Sequence, residues 1–158
     1  AGFVMGANLD VVQIDISAIT AITGVIRFVL AGNANALVAQ GAGIVMVGAG
    51  NATDLGDTVA ANFLEVSGGN IIAGTLETFL EIGGGGALTA SQDSTVGDAI
   101  LVISDDGTDS ALFLVIFAVA SSEDDVVGSG DLLAVKILDL VGITASEAAD
   151  NSNFAFVN

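Results

Sequence analysis

Short apolar runs rich in Val, Ile, Thr and Phe recur along the chain, divided by clusters of Gly, Asn, Asp and Ser. This is the pattern of strands joined by tight turns. The segments that fit it are 9–16, 25–30, 36–39, 44–47, 58–66, 75–82, 99–103, 111–119, 132–140 and 153–157. Segment 75–82 alternates cleanly: Leu76, Thr78, Leu80 and Ile82 fall on one face and Glu77, Phe79 and Glu81 on the other, which predicts a half-buried strand. Helix stays an open alternative for 17–23 and for 132–140, where Leu133, Ile137 and Leu140 also recur at helical spacing. The fold class predicted is all-β, either a β-sandwich or a sandwich/solenoid-like composite of short strands.

The clearest local signal is a hairpin. The run Ala99-Ile100-Leu101-Val102-Ile103 meets Ser104-Asp105-Asp106-Gly107-Thr108-Asp109-Ser110, and the chain returns through Ala111 to Phe117. An Asp-Gly step between two such runs places the turn there. The three aspartates at its tip repel one another unless solvent or a cation screens them.

Gly83-Gly84-Gly85-Gly86 is the most visible interruption. Acidity rises beyond it while the β pattern continues, so residues 1–158 are read as one composite unit with an internal break at 83–92. Gly-Ala-Asn turns such as Ala31-Gly32-Asn33-Ala34-Asn35 recur loosely in the first part, without a strict nonapeptide ladder.

Composition narrows the partners. Nineteen acidic residues face only Arg27 and Lys136, a formal net charge of −17. With no basic patch to meet phosphates, nucleic acid and anionic membrane surfaces are disfavoured. Self-repulsion on this scale opposes a compact chain unless salt or bound divalent cations offset it. The chain is also 53% hydrophobic with a mean hydropathy of +0.82, and apolar surface in excess of one core favours protein interfaces. The longest wholly apolar run, Ala111 to Ala120, is about half of the roughly 20 residues that a spanning helix needs. A transmembrane barrel is disfavoured by the lack of Trp and Tyr and by continuous rather than alternating apolar runs.

Cys, Pro, His, Trp and Tyr are all missing. Without His or Cys there is no Ser-His or Cys-His pair and no zinc-type site, so a metal here has to be a hard cation held by oxygen. Calcium, which takes six to eight oxygens, fits best. Its first candidate site is the hairpin tip, Asp105, Asp106 and Asp109, with Ser104 and Thr108 as auxiliary oxygens. A second is Glu123, Asp124 and Asp125 with Asp131, whose spacing does not match an EF-hand. Asp54 and Asp57 form a third, and Asp93 with Asp98 a weaker fourth. The ordinary alternative for each is a solvated turn. Enzymatic activity is not expected: a glycosidase-type carboxylate pair would lack aromatic stacking platforms, and Lys136 is better placed to reach the surface or pair with an aspartate.

The segment from Gly97 to Val157 resembles the C-terminal region of bacterial calcium-binding repeat proteins, the surface-layer and adhesin-like relatives of the RTX exoproteins. The resemblance is carried by Gly97-Asp98-Ala99-Ile100-Leu101-Val102, by Asp106-Gly107-Thr108-Asp109-Ser110-Ala111-Leu112-Phe113-Leu114, by Asp131-Leu132-Leu133-Ala134-Val135 with Leu140-Val141-Gly142-Ile143-Thr144, and by the closing Asn153-Phe154-Ala155-Phe156-Val157-Asn158. It implies an extracellular or cell-surface β-rich protein, calcium-dependent folding and export by a type I system. The GGxGxDxUx repeat is missing, so a calcium-loaded parallel β-roll is not implied.

The expectation is an extracellular structural subunit that self-assembles into a filament or surface layer, stabilised by calcium. The alternative is a C-terminal type I secretion and folding module of a larger RTX-like exoprotein. Self-assembly would use apolar interfaces and the terminal segments Phe3-Val4-Met5 and Phe154-Ala155-Phe156-Val157, whose apolar edges invite pairing with another copy.

Overall fold

A computed structural model describes residues 12–15, 46–48, 53–55, 63–66, 72–90, 96–120, 126–144 and 154–157. The architecture is mainly β. Its elements are β1 (Val12–Asp15), β2 (Met46–Gly48), β3 (Thr53–Leu55), β4 (Phe63–Val66), α1 (Ala73–Leu80), β5 (Leu88–Ala90), β6 (Ala99–Asp105), β7 (Ser110–Phe117), β8 (Leu132–Leu140) and β9 (Phe154–Val157). The expected segments 17–23, 25–30 and 36–39 and the stretch Phe3-Val4-Met5 lie outside the described residues.

The centre is a five-stranded sheet in the order β2-β4-β6-β7-β8. β2, β4 and β6 are parallel, while β6-β7 and β7-β8 are antiparallel. The predicted hairpin forms β6 and β7 around a turn at 106–109, where the Asp106 amide donates to the Asp109 carbonyl. Gly107 takes φ +91°, a left-handed conformation that a side chain would disfavour.

Every residue of β6 is buried, and so are nearly all of β7. That burial explains their unbroken apolar sequence, since strands covered on both faces need no alternation. One face, with Ile100, Val102, Ala111, Phe113, Val115 and Phe117, packs with Leu64, Val66, Leu76, Leu80, Leu88 and Val127 into the core. The opposite face carries Leu101, Ile103, Leu112 and Leu114, which are equally buried. The core takes residues from both sides of the four-glycine run.

The strand expected at 75–82 is instead α1. Leu76 and Leu80 are its buried residues, four apart, with Ala73 and Phe79 packed partly against the core. Leu76 and Leu80 satisfy an alternating face and a helical stripe alike, but Thr78 and Ile82, which share the expected strand face with them, are exposed. Eight residues that include Gly, two Thr and Phe have little intrinsic helicity, so packing decides the state. Parallel pairing of β4 with β6 also demands a crossover, and α1 lies within it. The glycine run ends the helix: the Gly84 amide donates to the Glu81 carbonyl, and a Cβ at Gly84 or Gly86 would collide with the carbonyl or ring of Phe79.

Segment 132–140, open to both readings, is a strand, β8. It forms the sheet edge beyond β7, and its register shifts between Leu112 and Phe113 in a β-bulge. The helix blunts this edge. The amides of Leu132 and Ala134, alternate residues of β8, donate to Glu81 Oε1 at 3.2 Å and Glu77 Oε1 at 2.6 Å, and the Gly130 amide donates to Glu81 Oε1 at 2.9 Å. Further along, Lys136 lies 5.8 Å from the Phe113 ring centroid and pairs with Asp139 at 2.9 Å. Covered amides, a bulge and edge charges are established defences against strand addition.

Two short parallel pairs were not expected: β3 with β5, and β1 with β9. The second joins a segment near the start of the chain to one near its end, in the register Val12 to Phe154 through Asp15 to Val157. A terminal apolar strand read as open to a neighbour is thus paired within the chain.

Candidate cation site at the acidic end of the sheet

β4, β6 and β8 all end at the side of the sheet where β7 begins, so their carboxylates gather there. Glu65 comes from β4, Asp105 from β6, Asp106 and Asp109 from the hairpin turn, and Asp139 from β8. Lys136 neutralises Asp139. Among the described residues no second cation approaches this end, because Lys136 is the only basic residue described.

The three tip aspartates do not converge on a common point. Asp105 Oδ1 accepts from the Gly107 amide at 3.0 Å. Asp106 Oδ1 accepts from the amides of Thr108 and Asp109 at 3.0 and 2.9 Å, and Asp109 Oδ1 accepts from the Gly142 amide at 2.6 Å. Asp105 and Asp106 therefore cap donors of their own turn, the ordinary use of Asp there, whereas Asp109 ties the hairpin to the turn after β8. The amides of Asp109 and Thr108 hold the Asp106 carboxyl below the usual aspartate range. Its contribution to stability is present above the unfolded aspartate pKa and is lost as pH falls through the lowered folded value.

Glu65 behaves in the opposite sense. It alternates with Leu64 and Val66, which point into the core, so it lies on the other face of the sheet. Opposite it on β6 is Ile103, two residues from Asp105 on that same face. Partial burial, and then the negative charge of Asp105, push the Glu65 carboxyl above its ordinary range. A raised carboxyl contributes its full stability below the unfolded pKa and loses it as pH rises through the folded value. In chelator, Glu65→Gln is expected to raise the melting temperature at pH 7.5, with the gain shrinking as pH falls towards about 4, where glutamate is protonated in both states. Thermal melts of both proteins across that range check the sign.

Ser110 completes this face. It pairs directly with Asp105, is 1% exposed, and its Oγ has no hydrogen-bond partner. Ser104, on the core face opposite Ala111, is likewise buried with an unpartnered Oγ.

The other predicted ligands are scattered. Asp131 Oδ2 accepts from the Gly128 amide at 2.9 Å and closes its own turn. Its expected companions Glu123, Asp124 and Asp125 lie outside the described residues, as do Asp57 and Asp93. Asp54 lies in β3, which pairs with β5 in a separate two-stranded sheet, and its side chain is outside the described set. Asp98 is buried beside the start of β6, at the opposite end from the hairpin turn. Among the described residues no group of three or more carboxylates is placed to hold a metal. Sequence reading missed Glu65 and Ser110. Alternation in Phe63-Leu64-Glu65-Val66 signals the face of Glu65, but its distance from the hairpin in sequence hides the proximity.

No protein-family model, curated protein or solved structure matches this chain. Among the described residues no helix is long and apolar enough to cross a membrane.

Proposed function

We propose that this chain is an extracellular structural subunit that self-assembles into a filament or surface layer and is stabilised by calcium. The observation that carries the reading is the row of large aliphatics left in solvent along β8 and the turn after it: Leu133 at 51% exposure, Ile137 at 46%, Leu138, and Val141 at 79%. Large aliphatics exposed along one strand and its following turn favour a protein partner over water. The carboxylates gathered where β8 ends, near Leu138 and Val141, supply a reason for cation dependence, because copies carrying a charge of −17 repel at close range unless it is screened.

The finer architecture we propose is a sandwich in which a second layer covers the face of Leu101, Ile103, Leu112 and Leu114. The β1-β9 pair adds a route to polymer. A lone two-stranded sheet is marginal, and the same register between copies would exchange the strand at little cost.

Electron microscopy and light scattering of the purified chain, in calcium and then in excess chelator, test the proposal. Polymer is expected in calcium. The double variant Leu133→Lys with Val141→Lys should give a folded monomer by circular dichroism. A wild-type chain that stays monomeric in calcium at high protein concentration overturns the assembly reading.

A further inference from the structure

We propose that Glu65, Asp105 and the Ser110 hydroxyl form a calcium site on the face of the sheet shared by β4, β6 and β7, at the base of the hairpin and not on its tip. The proposal deepens the calcium part of the reading above and rests on it.

Register puts the three side chains together. Glu65 is opposite Ile103 on β6, and Asp105, two residues further, shares its face. Ser110 is directly across from Asp105 on β7, so the alternation of the sheet turns its hydroxyl to that face as well. Asp105 is the diagonal neighbour of Glu65 on one side and the direct partner of Ser110 on the other, so an ion held by Asp105 would sit between the two.

The independent pointer to a ligand is Ser110 itself. Its Oγ is buried and makes no hydrogen bond although a carboxylate stands opposite. Buried hydroxyls almost always find a partner. A hydroxyl oxygen that coordinates a cation is satisfied through its lone pair, and two carboxylates that repel each other become a matched set once the ion lies between them. Asp105 commits Oδ1 to the Gly107 amide, while on the tip Asp106 Oδ1 accepts two amides and Asp109 Oδ1 reaches away to the Gly142 amide. Two carboxylates, one hydroxyl and water make a hard, irregular oxygen set, which suits calcium better than magnesium with its demand for near-ideal octahedral geometry.

The test is calorimetric titration of the purified full chain with CaCl2, with MgCl2 as comparison at matched ionic strength, alongside thermal melts. Glu65→Gln should weaken calcium binding at least about tenfold, because ligand charge sets affinity in such sites. It should do so while leaving the calcium-free melt at or above that of wild type, a combination that a purely structural role for Glu65 does not produce. Ser110→Ala should weaken binding by a smaller factor with an unchanged calcium-free melt, and Asp106→Asn should bind as wild type does. If wild type binds calcium and Glu65→Gln binds equally well, this site is wrong while the calcium reading stands. If wild type binds no calcium at millimolar concentration, both fall together. Loss of binding in Asp106→Asn with retention in Glu65→Gln moves the site to the hairpin tip and overturns the proposal.

Discussion

Truncating Phe113 to alanine is expected to lower stability by about 3–5 kcal/mol, the cost of removing an aromatic ring from a packed interior. Phe113 is fully buried in β7, between β6 and β8 in the sheet, and belongs to the core that also holds Leu76 and Leu80 of α1. Its loss also deprives Lys136 of the ring beneath its ammonium group. Against a total of about 5–15 kcal/mol for ordinary domains, such a loss moves the melting temperature by roughly 10 °C or more. Phe113→Leu, which keeps most of the volume, should cost much less. Urea denaturation with an unchanged slope distinguishes lost stability from a changed unfolded state. A loss below about 1 kcal/mol for the alanine variant would mean that the core does not depend on this ring.

Glu81→Ala is expected to cost about 2–4 kcal/mol, because a buried carboxylate oxygen serving two amides disappears and the Leu132 donor is left in a dry position. Glu81 is only 7% exposed. Glutamine keeps the acceptor oxygen, so Glu81→Gln should stay within about 1 kcal/mol of wild type. If the two substitutions cost the same, the charge matters and not the hydrogen bonds. Hydrogen exchange adds a local readout, with protection falling at Gly130 and Leu132 in the alanine variant. The same substitution uncovers the Leu132 amide at the start of β8, so disordered aggregation should rise with it.

Which parts were legible follows from the range of the interactions involved. The hairpin was, because the Asp-Gly turn and its flanking runs lie within twenty residues of one another and local chemistry specifies the reversal. The continuous apolar runs at 99–103 and 111–117 form the two arms, and the structure shows those strands buried on both faces. The pairing of Lys136 with an aspartate was equally readable from its neighbourhood. The predicted hairpin-tip site was legible only as composition: its aspartates are present, yet their oxygens are directed to nearby amides, a detail that depends on the turn's actual geometry.

By itself, then, the sequence determined the mainly β character, the hairpin and its acidic turn, the charge imbalance and the restriction of any metal to hard cations, since all of these follow from residue identity and near-neighbour pattern. Only tertiary structure decided that 73–80 is a helix, because Leu76 and Leu80 gain more from one core-facing stripe than weak local propensity costs, and because parallel β4 and β6 require a crossover. It alone brought Glu65 beside Asp105, itself opposite Ser110, aligned Glu77 and Glu81 with the edge of β8, and paired β1 with β9. Each of these contacts joins residues tens of positions apart or more, except the Asp105–Ser110 pair set by the hairpin. Distant contacts of that kind are specified by sheet register and packing, which no local window of sequence contains.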